Sequence, residues 1–222
     1  QQKMRLSAAL KAAFSLLFAM SAVLSAGPEF KRYEQIAPAV PLYGPPDTVS
    51  MFVIGDVMLH SKQMEYPYTQ FLAGIKGLMQ SADVTVANME FTLAGEPYTG
   101  YPEFSAPDEY ADYAADCGVN VFLTANNHIM DKGRAGLERT LEVYRNMENS
   151  KRIRFVGTST DEMDELSRNP LIINVRGIRI AFLNFTYGTN APMRGQTWPK
   201  VNRIDTTDIH KALTRAKSLI FC

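Results

Sequence analysis

The residues best suited to chemistry form one short polar run that directly follows the apolar segment 121–123. The run contains two amides and an imidazole, with a carboxylate three residues further on: Asn126, Asn127, His128 and Asp131. Open α/β sheets place ligand sites where the chain leaves the carboxyl end of a strand and enters a helix. A polar loop with a helix cap is the alternative, but such a run is poor filler after a buried strand. We therefore predict a functional turn here.

Two earlier predicted strands end in similar residues. The segment 49–54 runs into Asp56, and the segment 84–87 runs into Asn88 and Glu90. The carboxyl ends of parallel strands share one edge of a sheet, so these side chains are expected to meet His128 there. A single acid at a strand end more often caps a helix. Potential metal ligands at the ends of three successive strands favour a metal site instead. Carboxylate, amide and imidazole donors suit Mn, Fe, Zn or Mg, and the sequence leaves the metal open.

The elements that must position these residues alternate along the chain. Apolar periodicity predicts strand, helix, strand, helix, strand, the pattern of a layered α/β fold. Later, two strands flank Arg176-Gly177, a two-residue turn typical of a hairpin, which makes a mixed sheet the expectation. The predicted strands are 49–54, 84–87, 119–124, 154–156, 171–175 and 178–185, and the predicted helices are 68–80, 107–116, 134–148 and 206–217, with a further strand opening at Leu219.

The chain divides into three predicted parts. Residues 1–26 combine basic residues with an uncharged run and are predicted to be a signal peptide or an N-terminal anchor. Residues 27–47 form a Pro-rich tether, and residues 48–222 form one domain. Export to the periplasm, the cell surface or a membrane-anchored state is therefore expected. The 23 basic and 23 acidic residues balance, which argues against a nucleic-acid partner.

Four sequence blocks together resemble a known family. In chain order they are MFVIGDVMLH, VANMEFTL, LTANNHIMDKGRAGLERTL and FLNFTYGTN. They look like the bacterial capsule-synthesis CapA family, associated with poly-γ-glutamate production, within the calcineurin-like metallophosphatase superfamily. The resemblance implies an α/β/β/α sandwich with a mixed sheet and a site for two divalent metal ions at the sheet edge.

The resemblance also implies roles for individual residues. Asp56 matches the first acidic ligand, and Asn127 with His128 matches an Asn-His element that contributes both metal binding and catalysis. Glu90 stands where the superfamily commonly has Asp, so its role as the bridging ligand is the weakest correspondence. His60 follows Asp56 by four residues where the superfamily pattern has two, which leaves it between a supporting role and an exposed loop.

Further residues are expected to support this site without binding metal themselves. Asn88, Asn126 and Asp131 are expected to orient the ligands, since a metal-bound imidazole usually gives its other nitrogen to a carboxylate. Arg134, at the start of the predicted helix, is expected to meet an anionic substrate.

The end of the chain bears on the expected activity. The resemblance places another His-containing segment after the strand predicted at Leu219, so C-terminal strands and further ligands are expected beyond Cys222. By itself the chain is then expected to be incomplete, to bind metal weakly and to be inactive.

Two classes of function are compatible with these expectations. One is a metal-dependent hydrolase or transferase acting on an extracytoplasmic anionic polymer such as poly-γ-glutamate or capsular material. The other is a non-catalytic accessory subunit of a membrane-bound capsule-polymer synthase or exporter.

Overall fold

A computed structural model describes residues 34–35, 48–193, 195 and 197–221. The predicted signal segment, and the tether apart from residues 34–35, lie outside these ranges. None of the helices within them is long and apolar enough to cross a membrane.

The described elements alternate in the order expected of an α/β fold. The strands are β1 Glu34–Gln35, β2 Met51–Val57, β3 Val84–Met89, β4 Val121–Leu123, β5 Arg154–Val156, β6 Thr158–Ser159, β7 Leu171–Val175, β8 Ile178–Phe182 and β9 Lys200–Val201. The helices are α1 Ser61–Met64, α2 Lys76–Ser81, α3 Asp108–Asp116, α4 Gly133–Lys151, α5 Glu162–Arg168 and α6 Thr206–Phe221.

The first sheet is parallel throughout and carries the residues of interest. Its strand order is β2-β3-β4-β5, so each strand lies beside its neighbour in sequence. Strand β3 is almost entirely buried, as an interior strand of a parallel sheet should be. Strand β2 lies at one end of this order, and its Val53 is 64% exposed. The carboxyl ends of all four strands consequently share one edge.

A second sheet supplies the mixed character that the sequence predicted. Its order is β1-β7-β8, with β1 parallel and β8 antiparallel to β7. The β7–β8 hairpin turns at Arg176 and Gly177, both with positive φ, as a type I′ turn requires. A small antiparallel pair, β6 with β9, completes the described sheets.

Apolar side chains bury both faces of the parallel sheet. On one face α3 and α4 cover it with a cluster that includes Tyr110, Leu137 and Tyr144. On the other face Val86 and Val121 pack against Ile173 and other residues of the second sheet. Helix α6 packs on β7 and β8 in turn. The architecture is α/β with a parallel sheet and antiparallel strands, consistent with the metallophosphatase-like fold expected from the resemblance.

Two predicted elements differ in the structure. The helix expected over 68–80 is three short pieces: 3₁₀ turns at Tyr68–Gln70 and Ala73–Ile75, followed by α2. Gly74 and Gly77 lie in this stretch, and glycine lowers helix stability by about 1 kcal/mol relative to alanine. The strand expected from Leu219 is wrong, because residues 219–221 form the last turn of α6. Three apolar residues in a row could not distinguish the end of a helix from the start of a strand.

Candidate functional site

The carboxyl edge of the parallel sheet brings the predicted residues together from three strands. Asp56 lies near the end of β2, Glu90 directly follows β3, and His128 lies in the turn after β4. Glu90 and His128 are 38 residues apart in the chain, yet Glu90 Oε1 lies 3.9 Å from His128 Nε2. Parallel pairing of the strands is what closes this distance.

A bulge in β2 sets the position of Asp56. Val53 pairs with Val86, and regular pairing from there would place Asp56 opposite Met89; the register shifts, and Asp56 lies opposite Asn88. The Asn88 Nδ2 group then donates to Asp56 Oδ1 at 2.8 Å. Bulges are common beside functional sites because they redirect a side chain.

Asn88 joins the two carboxylates of this edge. Its Nδ2 group also donates to Glu90 Oε2 at 2.9 Å. Burial and the nearby Asp56 carboxylate raise the pKa of Glu90 above its ordinary value, while the imidazole of His128 opposes the shift. The Asp56 carboxylate is thus close enough to disfavour ionisation of Glu90, an arrangement that a cation would relieve.

His128 is held in one orientation by Asp131. The Nδ1 atom lies 2.7 Å from Asp131 Oδ2, and both side chains are buried. The same Oδ2 atom accepts the backbone N–H of Phe104 at 2.8 Å. Burial raises the pKa of Asp131, and these two contacts pull it the other way. When Asp131 is ionised its oxygens can only accept a hydrogen bond, and the proton of a neutral His128 then resides on Nδ1.

The other ring nitrogen of His128 faces Glu90. With the proton on Nδ1, Nε2 presents a lone pair, and it lies 3.9 Å from Glu90 Oε1. Two electron-rich atoms therefore face each other, an arrangement that a cation between them would stabilise. Metal–nitrogen and metal–oxygen bonds of about 2.0–2.2 Å would span this separation with little movement. The donor chemistry of Glu90, His128 and Asp56 fits a divalent metal of the predicted kinds.

The geometry nevertheless does not form a closed metal cage. Across residues 48–193, 195 and 197–221, no group of three His, Cys, Asp or Glu side chains is arranged to hold a metal ion. The donors consist of a carboxylate–imidazole pair, with Asp56 linked to it through Asn88. The predicted ligand roles of Asp56, Glu90, Asn127 and His128 stay predictions.

Asn126 connects the His128 turn to β3. Its Nδ2 group donates to Asn88 Oδ1 at 3.2 Å and to the backbone oxygen of Met89 at 2.9 Å. Its Oδ1 atom accepts the backbone N–H of His128 at 3.1 Å. A buried amide with all three bonds fixes the turn relative to the neighbouring strand.

Two residues that sequence reasoning did not single out also fix this turn. The Asn184 Oδ1 atom accepts the backbone N–H of Ala125 at 2.6 Å. The backbone N–H of Asn190 donates to the oxygen of Asn127 at 2.8 Å, and its amide lies 3.2 Å from His128 Nδ1. The Asn190 atom in this contact is the amide nitrogen Nδ2. Both residues belong to the block FLNFTYGTN, and an Asn directly after an apolar run was the available signal for Asn184.

The remaining predicted residues lie further from this cluster. His60 is exposed, and its ring contacts Phe104 edge-on, with 5.1 Å between ring centroids. Phe104 in turn contacts His128 at 4.7 Å, so one aromatic ring separates the two histidines. Arg134 pairs with Glu138 on its own helix at 2.7 Å. The Asn127 side chain is half-buried and makes no hydrogen bond to any described residue.

Comparison with known proteins identifies the family. A family described as bacterial capsule synthesis protein PGA_cap matches residues 50–219, which include every residue of this site. The chain belongs to this family. It is also 24% identical over 177 residues to the capsule biosynthesis protein CapA of Bacillus anthracis, a match that covers 75% of the chain. The match covers 41% of that relative, so the chain spans less than half of its length.

Proposed function

We propose that this capsule-synthesis family member contributes the active site of a metal-dependent hydrolase or transferase acting on an extracytoplasmic anionic polymer. The observation that carries the proposal is the line Asp131–His128–Glu90, in which a buried carboxylate directs the free nitrogen of an imidazole toward a second carboxylate. Poly-γ-glutamate and other capsular material are the proposed polymers, and a membrane synthase complex is the proposed setting.

The chain's own residues divide the work by position. Asp131 keeps the proton on Nδ1, so Nε2 is the atom through which His128 meets a cation or takes a proton. Glu90 and Asp56 supply negative charge at the same edge, and Asn88 holds them in register. A divalent cation held among them would supply Lewis acidity and an activated water for attack on the polymer.

A turnover assay tests this proposal. The protein with Mn²⁺ is incubated with poly-γ-glutamate or with a chromogenic phosphodiester, and polymer length or product release is measured. In a version extended by the C-terminal His-containing segment that the family resemblance implies, we expect turnover that a chelator abolishes and that His128→Gln lowers at least about a hundredfold, the usual effect of losing an acid–base group. The chain by itself is expected to be inactive. Turnover that neither treatment changes would refute the proposed site.

The accessory role is the second candidate, and one observation favours it. Asp56, Asn88, Glu90 and Asn126 satisfy one another by hydrogen bonds, and no described group of three titratable side chains encloses a metal. A protein that binds the polymer or a synthase subunit, with no turnover of either substrate at saturating Mn²⁺, would support this role.

A further inference from the structure

An open cleft lies between α5 and α6, and its lining includes none of the residues predicted for the candidate site. Its volume is about 300 Å³. We propose that this cleft binds a small dipolar ligand, a free amino acid or short peptide that carries one ammonium and one carboxylate. The site is independent of the proposed function, because it has its own residues and its own class of ligand.

The α5 side of the cleft is acidic. Its lining residues share one helix face, because they follow the i, i+3, i+4 and i+7 spacing: Glu162, Glu165, Leu166 and Asn169. Glu165 is already paired, since its Oε1 atom lies 2.6 Å from Lys200 Nζ of β9. Glu162 is exposed and forms no ion pair with any described residue. This side therefore offers one unpaired carboxylate to a ligand ammonium.

The α6 side of the cleft supplies two cations, Lys211 and Arg215, about one helical turn apart. The Arg215 Nη2 group links the two helices by donating to the backbone oxygen of Leu166 at 2.5 Å. Lys211 Nζ lies 3.8 Å from Asp208 Oδ1, and the Lys211 side chain is 73% exposed. Exposed pairs of this kind contribute little to stability, so the Lys211 ammonium can exchange Asp208 for a ligand carboxylate.

The balance of charges in the lining favours a ligand that carries both signs. Three acidic side chains, Glu162, Glu165 and Asp208, face three basic ones, Lys200, Lys211 and Arg215. Such a lining has no net charge to attract a simple anion or a simple cation. An apolar ligand would take these charges out of water without replacing their partners. A dipolar ligand places its ammonium at Glu162 and its carboxylate at Lys211.

The uncharged part of the lining limits the ligand further. Among the described residues that line the cleft none is aromatic, so no flat ring is present on which a sugar would stack. Leu166 is 40% exposed and provides an apolar contact for a short carbon chain. A small aliphatic compound with charged ends fits this surface.

Asn169 gives an independent reason to expect a ligand with N–H groups. It lines the cleft, and its buried Oδ1 atom has no hydrogen-bond partner among the described residues. A buried acceptor without a donor is unfavourable, and most such atoms in proteins have a partner. A ligand ammonium or peptide N–H beside Asn169 would supply the missing donor.

Calorimetric titration with defined small compounds tests the cleft. The probes are leucine and glycyl-leucine, each compared with one form whose ammonium is acetylated and one form whose carboxylate is amidated. The protein is titrated in chelator, so that the result does not depend on a metal. We expect at least one free probe to bind, and either blocking group to weaken its binding at least about tenfold, the effect of one lost charged hydrogen bond.

The two probes distinguish the sources of the ligand. Tighter binding of leucine would support a free amino acid, and tighter binding of glycyl-leucine would support a short peptide. No binding of either free probe at millimolar concentration would overturn the proposal, as would equal binding of the free and blocked forms.

Two variants assign the ligand charges to the two sides of the cleft. Glu162→Gln is expected to weaken binding of the free probe about tenfold and to leave the acetylated probe unchanged, because that probe has no ammonium. Lys211→Gln is expected to weaken the free and the acetylated probes and to leave the amidated probe unchanged. Both side chains are exposed, so both variants should fold, which melting curves check. Losses that simply add to those of the blocking groups would overturn the assignment.

Two matched controls test whether position or charge alone decides binding. Glu142→Gln on α4 and Lys217→Gln on α6 remove the same charges from exposed positions outside the cleft. Each is expected to change binding by less than about twofold, because exposed charges at a distance are screened. Losses as large as those of Glu162→Gln and Lys211→Gln would overturn the proposal, and so would tighter binding of an uncharged disaccharide than of either free probe.

Discussion

Gly157→Ala should be among the most damaging single methyl additions to this protein. Gly157 follows β5 and has φ +117°, a conformation that L side chains rarely adopt. A Cβ added there would lie 2.1 Å from Asn184 Oδ1, 2.5 Å from the backbone nitrogen of Ala125 and 2.8 Å from the Ala125 Cβ. The first two of these atoms are the acceptor and the donor of the hydrogen bond that fixes the chain entering the His128 turn.

The expected loss can be built from two physical effects. A non-glycine residue in such a backbone region costs about 1–3 kcal/mol. Breaking the buried bond between Ala125 N–H and Asn184 Oδ1 costs roughly another 1–3 kcal/mol. The unfolding free energy should then fall by about 2–6 kcal/mol, and Tm by roughly 5–20 °C in a domain of this size.

Gly177→Ala is the matched control for this prediction. Gly177 also has positive φ, +84°, but no atom lies within 4 Å of its added Cβ. Only backbone strain applies, so the expected loss is about 1 kcal/mol. Both variants are measured by denaturant unfolding and by circular dichroism melting. A Gly157→Ala loss no larger than that of Gly177→Ala would refute the packing described for the His128 turn.

Three further changes have distinct expected results. Tyr144→Phe should leave the unfolding free energy unchanged or raise it by up to about 1 kcal/mol, because the buried Tyr144 hydroxyl has no partner among the described residues. Denaturant titration measures this, and a loss above about 1 kcal/mol would contradict it. Glu90→Gln, measured in chelator, should stabilise the protein more at neutral than at acid pH. The pKa of Glu90 is raised in the folded protein, so wild-type stability falls as pH rises from the ordinary carboxyl pKa through the raised value. In thermal melts across that window the difference in stability between variant and wild type should widen with pH, and a constant difference would contradict this. Asp131→Asn should lower metal-dependent turnover at least about tenfold, because it changes the hydrogen bond that orients His128. Rates are compared at saturating metal, and unchanged turnover would contradict the orienting role of Asp131.

Local patterns were enough to predict most of the fold. Apolar runs placed β5 and β7 at their observed bounds, and Gly177 with its neighbour marked the hairpin turn. The broken helix before β3 was missed because its apolar stripe fits a helical period while Gly74 and Gly77 weaken it. The final turn of α6 was missed because three apolar residues carry no period of their own.

The candidate site was only partly accessible to sequence reasoning. Parallel strand ends were enough to bring Asp56, Glu90 and His128 to one edge. The contribution of Phe104 was not accessible, because its backbone N–H and its ring act through tertiary packing on Asp131 and His128. The position of the Arg134 side chain was not accessible either, because it depends on the ion pair that Arg134 makes with Glu138 on its own helix.

The bulge in β2 shows the same limit. Its effect is a change of one residue in pairing, which moves Asp56 from opposite Met89 to opposite Asn88. Sequence periodicity does not determine such a shift, because Gly55 permits several backbone courses without requiring one.

Anomalous diffraction from crystals soaked in millimolar Mn²⁺ tests whether the carboxyl edge of the parallel sheet holds a cation, since it locates even a weakly bound one. We predict an anomalous peak about 2.0–2.3 Å from both His128 Nε2 and a Glu90 carboxylate oxygen. The Asp131 contact to Nδ1 should be retained in the same crystals. A peak at another position only, or none beside His128 at saturating Mn²⁺, would contradict the proposed metal site.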